Sequence, residues 1–164
     1  MPEITLVLHN IRSTYNVGAI FRSAEGFGVT RLALCGYTPY PEMSEDGRLP
    51  HIRQKLTTQI HKSALGAEQM VPFEHFDSLD AWLDHNQSTT QLPLVALEQA
   101  KNSTNLAEFQ PPARFALIVG EEVHGIEPQY LERCNAIAEI PMHGKKESFN
   151  VSVACGIALY ELTK

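Results

Sequence analysis

Arg114-Phe115-Ala116-Leu117-Ile118-Val119 is an apolar run behind a single arginine, and it stops abruptly at Gly120-Glu121-Glu122-Val123-His124-Gly125-Ile126. A short run of this kind, closed by glycine, reads as a buried strand. The same grammar extends outward in both directions. Ile4–Leu8, Val29–Leu34, Pro93–Leu97 and Ile137–Ile140 are further strand candidates. Between them lie helix candidates. Val17–Phe27 repeats Val17, Ile20, Phe21 and Ala24 at helical spacing, and Gln54–Leu65 stops at Gly66. Ser78 caps Leu79–His85, Glu127-Pro128 opens a helix towards Cys134, and Ser148–Leu162 is apolar almost all round. Tyr37–Pro50 carries three prolines and a glycine and reads as a loop. Strands alternating with helices predict an α/β fold with a mostly parallel sheet flanked by helices.

Composition bounds this reading. A chain of 164 residues, 43% apolar and 20% charged, fits one globular domain over residues 1–164. The three cysteines, Cys35, Cys134 and Cys155, are an odd number at wide spacing, so neither a disulfide framework nor a cysteine zinc site is expected. No metal site is expected elsewhere. Met1–Asn10 lacks the features of a signal peptide, and no apolar stretch is long enough to span a membrane, so a cytoplasmic protein is expected. The net charge of −6 argues against a nucleic-acid partner. That charge is unevenly spread, however. Residues 10–62 hold seven basic and four acidic side chains, a local excess of +3 inside an acidic chain. Local positive charge steers polyanions whatever the net sign.

Three polar segments punctuate the fold where strands give way to helices. They are Asn10-Ile11-Arg12-Ser13 with Asn16 through Arg22, the Gly120–Ile126 turn, and Ile140-Pro141-Met142 with Glu147-Ser148-Phe149-Asn150-Val151-Ser152. Ligands of open α/β sheets bind at the carboxyl ends of strands, where helix N-termini also offer free N–H groups. Taken singly, each residue has a plainer reading: the glycines as turns, Ser148 and Asn150 as caps, Arg22 as a solvated charge and Glu122 as an N-cap or surface carboxylate. The dinucleotide and P-loop fingerprints are absent.

Taken together and in this order, Asn-x5-Arg, Gly-x-Glu-x-x-Gly and Ile-Pro-Met…Ser-x-Asn-x-Ser-x-Ala resemble the three signature motifs of the SpoU (TrmH) family. These are RNA 2′-O-ribose methyltransferases of the SPOUT superfamily, and the resemblance runs from Asn10 to Leu162. It implies a SPOUT fold with a C-terminal trefoil knot, which general topological rules disfavour. It implies S-adenosyl-L-methionine as cofactor, held by backbone at Leu97, Gly120, Ile140 and Phe149. Arg22 matches the family's catalytic arginine, Asn16 its preceding asparagine, and Glu122 the glutamate of the second motif. Ser148 and Asn150 match the polar pair of the third. The resemblance also implies a homodimer whose active site is completed across the interface. The last helix and the first would supply that interface.

An arginine has a pKa of about 12.5–13.8, so Arg22 is expected to bind a phosphate and stabilise charge on the 2′-oxygen rather than serve as a base. Arg12, Lys145 and Lys146 are the candidate RNA contacts. The chain has the size of a bare catalytic domain. tRNA is expected ahead of rRNA as substrate, and the scarcity of basic surface suggests a helper protein for RNA recognition. Two rivals stand beside this reading: a non-catalytic RNA-binding or scaffolding dimer of the same fold, and a base-modifying SPOUT methyltransferase.

Overall fold

The computed structural model describes residues 1–164. Seven strands, β1 (Glu3–His9), β2 (Arg31–Cys35), β3 (Phe73–Phe76), β4 (Leu94–Leu97), β5 (Thr104–Asn105), β6 (Arg114–Val119) and β7 (Ala136–Glu139), form one sheet. The order is β3-β2-β1-β6-β4-β7-β5 and every pairing is parallel. Five helices connect them: α1 (Thr14–Gly26), α2 (Pro50–Ala64), α3 (Leu79–Ser88), α4 (Pro128–Leu131) and α5 (Val151–Leu162). The α/β architecture expected from the rhythm of the sequence is therefore present.

The central strands explain their own composition. On β1, Ile4, Leu6 and Leu8 enter one core and Val7 the other; on β6, Phe115, Leu117 and Val119 oppose Ala116 and Ile118 in the same way. A strand covered on both faces has no polar side to show, hence the continuous apolar run. The larger core lies under α1, α2 and α5, the smaller under α3 and α4. Trp82 on α3 is buried in the smaller core, as a packing residue should be. The helix pair α1·α2 approaches closely at Gly18, where any side chain would overlap the Ile60 carbonyl. Ser63 Oγ donates to the Tyr15 carbonyl at 2.8 Å beside that crossing.

Local chemistry moves several boundaries. α1 begins three residues before Val17, because the Ser13 hydroxyl accepts from the Asn16 amide at 3.2 Å and caps it. α2 begins at Pro50 rather than Gln54: proline is suited to a first helical turn, where its missing N–H costs nothing. α4 stops at Leu131 because Asn135 is already tied to β4, its side chain accepting from the Leu94 amide at 2.7 Å. α5 begins at Val151, with Asn150 as its cap. The edge strand β3, Phe-Glu-His-Phe, and the two-residue β5 lie in stretches with no strand signature. α5 is not buried all round. Val153, Ile157 and Tyr160 form an exposed stripe along it.

Candidate active site

The carboxyl ends of β1, β6, β4 and β7 meet at one rim of the sheet. Here the strand order departs most from chain order, which is where open α/β sheets place ligands. β6 ends in the turn 121–125, which folds back on itself through a Glu121–Gly125 bridge and a Gly125 N–H to Glu121 carbonyl bond of 2.8 Å. Gly120 must be glycine: a Cβ there would sit 2.6 Å from the Gly125 backbone. Gly125 adopts φ +67°, and the Glu98 carboxylate covers its bare Cα. That carboxylate accepts from the Ile126 amide at 3.0 Å and the Gln99 amide at 2.9 Å. Gln99 in turn donates its side-chain amide to the Glu147 carbonyl at 2.8 Å. Three loops, after β4, β6 and β7, are thereby laced together.

They enclose a cleft of about 200 Å³. Leu97, Gly120, Ile140 and Phe149, the four positions expected to hold a cofactor, all line it, as do Glu122 and Ser148. Sequence reasoning missed Glu98 and Gln99. Neither carries a motif, and only the tertiary fold brings them over Gly125.

Beside the cleft runs a chain of hydrogen bonds between segments distant in sequence. Glu122 accepts from the Arg12 amide (3.0 and 3.2 Å), the Ser13 amide (3.2 Å) and Asn16 Nδ2 (3.1 Å). Asn16 Oδ1 accepts from Asn150 Nδ2 at 3.1 Å. Asn150 Oδ1 accepts from the Ser152 amide at 2.9 Å and so caps α5. The direction is fixed at both ends, by a carboxylate that only accepts and an amide that only donates. Burial pushes the Glu122 carboxyl up, but the Arg12 amide, the Asn16 side chain and the Ser13 amide outweigh it, and the net direction is downward. Asn16 is 5% exposed, so this is a built network and not a surface contact.

Glu121 sits next to it, 6% exposed. One oxygen accepts from the His124 amide; the other lies 3.2 Å from Arg12 Nε without an aligned hydrogen bond. The Arg12 guanidinium is held above its ordinary value by the Tyr37 hydroxyl first and by Glu121 second.

Arg22 stands apart. It is exposed on α1, a turn and a half beyond Asn16, with no hydrogen bond or ion pair, and the fold does not bring it into its own chain's cleft. Lys145 and Lys146 are exposed on the loop before α5. Nearby, Gly156 of α5 crosses Ser23 of α1, with a Cβ at Gly156 falling 3.7 Å from Ser23 Oγ. The three cysteines are free, and burial raises the thiols of Cys35 and Cys155 to about 12 and that of Cys134 to about 11. No cluster of His, Cys, Asp and Glu is placed to hold a metal ion, and no helix is long and apolar enough to cross a membrane.

A parallel sheet with a glycine-turned cleft at its switch point is an α/β domain of the kind that takes a ligand at the carboxyl ends of its strands. The chain belongs to the SpoU rRNA Methylase family, whose model matches residues 3–160. It is 32% identical over 163 residues to a 23S rRNA (guanosine-2′-O-)-methyltransferase, RlmB, of Coxiella burnetii, covering 99% of this chain and 59% of that protein. The RlmB of Pasteurella multocida is 29% identical over 161 residues, 98% of this chain and 60% of the relative. The chain thus spans about three-fifths of these relatives' length. Among solved structures, an AdoMet-bound rRNA methyltransferase from Sinorhizobium meliloti superposes with a TM-score of 0.79 at 22% identity, over 97% of this chain and 55% of that one. A TrmH/SpoU tRNA modifying enzyme of A. aeolicus superposes with a TM-score of 0.75 at 26% identity, over 99% and 75%. The two curated relatives are named for 23S rRNA, so the expectation of tRNA ahead of rRNA has no support.

Proposed function

We propose that this chain binds S-adenosyl-L-methionine in the cleft and methylates a ribose 2′-hydroxyl of RNA. The observation that carries the reading is the convergence of Leu97, Gly120, Ile140 and Phe149 on one cleft, with the Glu122–Asn16–Asn150 chain at its side. The donor set fits this cofactor. Its walls combine apolar side chains such as Leu97, Ile140 and Phe149 with polar ones such as Gln99, Glu122 and Ser148, which suits a ligand carrying both apolar and charged groups, and its turn at Gly120 leaves no room for a Cβ. Leu97, Gly120, Ile140 and Phe149 would hold it, and it would supply an electrophilic methyl group on a sulfonium.

The protein's own task is then to place the ribose. Positioning alone can contribute up to ~7–11 kcal/mol when the reacting atoms are well aligned. The Glu122–Asn16–Asn150 chain fixes the first turns of α1 and α5 against the cleft wall, and Ser148 stands in that wall. Arg22 binds the phosphate beside the target ribose and stabilises negative charge on the 2′-oxygen. Arg12, Lys145 and Lys146 contact the RNA backbone.

Arg22 lies outside its own cleft, so a second copy must bring it in. The exposed stripe Val153, Ile157 and Tyr160 on α5, where α5 crosses α1 next to Arg22, suits such a homodimer. A C-terminal trefoil knot is part of the proposal, and the strand order, with β6 and β7 lying between strands earlier in the chain, leaves room for it. rRNA and tRNA stand as equal substrate classes, and a helper protein for RNA recognition remains part of the proposal.

The test has two arms. Calorimetric titration with S-adenosyl-L-methionine should show binding; its absence would favour a scaffolding dimer. Methylated RNA should resist alkaline cleavage at the modified site; cleavage there would point to base methylation.

A further inference from the structure

Tyr37 carries an inference that rests on the RNA reading above and extends it. It stands where β2 leaves the sheet, and 56% of it is exposed. It is nevertheless fixed on both sides. Its amide donates to Asn10 Oδ1 at 3.1 Å, and that oxygen packs against the bare Cα of Gly36. The next residue, Thr38, is 1% exposed. Its hydroxyl donates to the Cys35 carbonyl (2.7 Å) and accepts from the Ile11 amide (3.0 Å). Asn10 and Gly36 both adopt left-handed backbone, φ 55° and 67°, at the ends of adjacent strands. Gly36 takes this conformation freely, whereas for a non-glycine residue such as Asn10 it costs free energy, and such positions gather at functional sites.

The loop beyond Tyr37 is equally firm. Arg48 donates to the carbonyls of Tyr40 (2.9 Å) and Pro41 (3.0 Å) and to Asp46, and its guanidinium lies 3.6 Å over the Tyr40 ring. Its donors are thereby committed to the loop. A groove of about 540 Å³ runs between this loop, the first turn of α1 and α2; Arg12, Thr14 and Tyr37 line it. An exposed aromatic ring carried on an anchored backbone beside a guanidinium offers a stacking face and a phosphate contact one nucleotide apart.

We infer that this groove holds the RNA strand next to the target nucleotide, with one unpaired base stacked on Tyr37 and its phosphate on Arg12. Single-stranded RNA is the fitting ligand because the groove sets an exposed ring face beside Arg12, while the donors of its other arginine, Arg48, are taken up by the loop. A tyrosine on a fixed backbone has only two side-chain torsions to lose on binding.

The experiment compares wild type, Tyr37→Ala and Tyr37→Trp. Methyl transfer from labelled S-adenosyl-L-methionine is measured on total RNA from cells lacking the gene. Loss of one stack is worth about 5- to 150-fold. Tyr37→Ala should raise the apparent KM for RNA by that factor, leave cofactor affinity unchanged, and be rescued in Tyr37→Trp. An unchanged KM in Tyr37→Ala overturns the inference while RNA methylation stands. A direct readout is independent of activity. In a Trp82→Phe background, which removes the one native tryptophan, Tyr37→Trp fluorescence should be quenched by a 12-nucleotide mixed-sequence RNA and not by the cofactor alone. If wild type transfers no methyl group to any RNA, the proposed function fails, and this quench alone decides the groove: its absence overturns the inference.

Discussion

Replacing Glu122 by alanine tests the relay that binds α1, the β6 turn and α5 into one site. The carboxylate accepts from two backbone amides and one side-chain amide, at 3.0–3.2 Å. Hydrogen bonds to a charged group contribute about 1.5–3 kcal/mol each. Glu122 is half-buried, and water will replace part of what is lost, so the expected cost is about 2–3 kcal/mol. In a chain of this length each kcal/mol moves Tm by about 2–4 °C, giving a fall of about 4–12 °C. Glu122→Gln should cost less. Its amide oxygen can keep the Ser13 and Asn16 bonds, while its nitrogen faces the Arg12 amide donor. A double-mutant cycle with Asn16→Ala should return a coupling of about 1 kcal/mol. The pH dependence follows from the sign of the shift. Because the folded carboxyl is lowered, its stabilisation is complete above the ordinary glutamate value of about 4.3 and is lost as pH falls through the lowered folded value. The gap between wild type and Glu122→Ala, measured by urea unfolding, should therefore be full at neutral pH and narrow in acid. A Glu122→Ala protein with wild-type Tm at neutral pH would refute the relay.

Four further outcomes are expected. Arg22→Ala should abolish methyl transfer yet change stability by no more than about 0.5 kcal/mol in thermal melts, because the side chain has no partner in its own chain; Arg22→Lys keeps charge but not the planar fork, and wild-type rates there would show the fork to be unnecessary. Gly120→Ala forces a Cβ against the Gly125 backbone and should cost about 1–3 kcal/mol along with cofactor binding, read by denaturation and calorimetry. Ile157→Glu should convert a homodimer to monomer in light scattering and abolish activity with it; an active monomer would remove the second copy from the mechanism. Methylation should fall steeply with added salt, and a flat response would count against phosphate contacts from the +3 segment.

Much of this was legible in the residues. Continuous apolar runs marked β1 and β6, because a strand covered on both faces has no polar alternation to hide. Glycine and proline marked the turns that become the cleft. Strand order was not legible: nothing local in Arg114–Val119 states that it lies between β1 and β4. β3 escaped because an edge strand with one open side tolerates Glu74 and His75. The plain reading of Asn150 as a helix cap and its motif reading both hold, since one side chain caps α5 and bonds Asn16. Glu98 and Tyr37 gave no signal. Their importance arises from what the fold sets against them, a bare glycine Cα in one case and an anchored strand end in the other.

The position of β6 between β1 and β4 governs how the molecule can be made. During synthesis β1, β2 and β4 leave the ribosome before β6 exists, so β1 must wait with one edge unpaired while more than a hundred residues follow Leu8. An open edge on an apolar strand is a template for pairing with another chain. The centre of the sheet can close only after Val119 has emerged, and the cap at Asn150 only about thirty residues later. Long-range closure of this kind folds slowly and leaves sticky intermediates. A nascent chain stalled before residue 114 should therefore aggregate or recruit a chaperone, while one stalled after α5 should not.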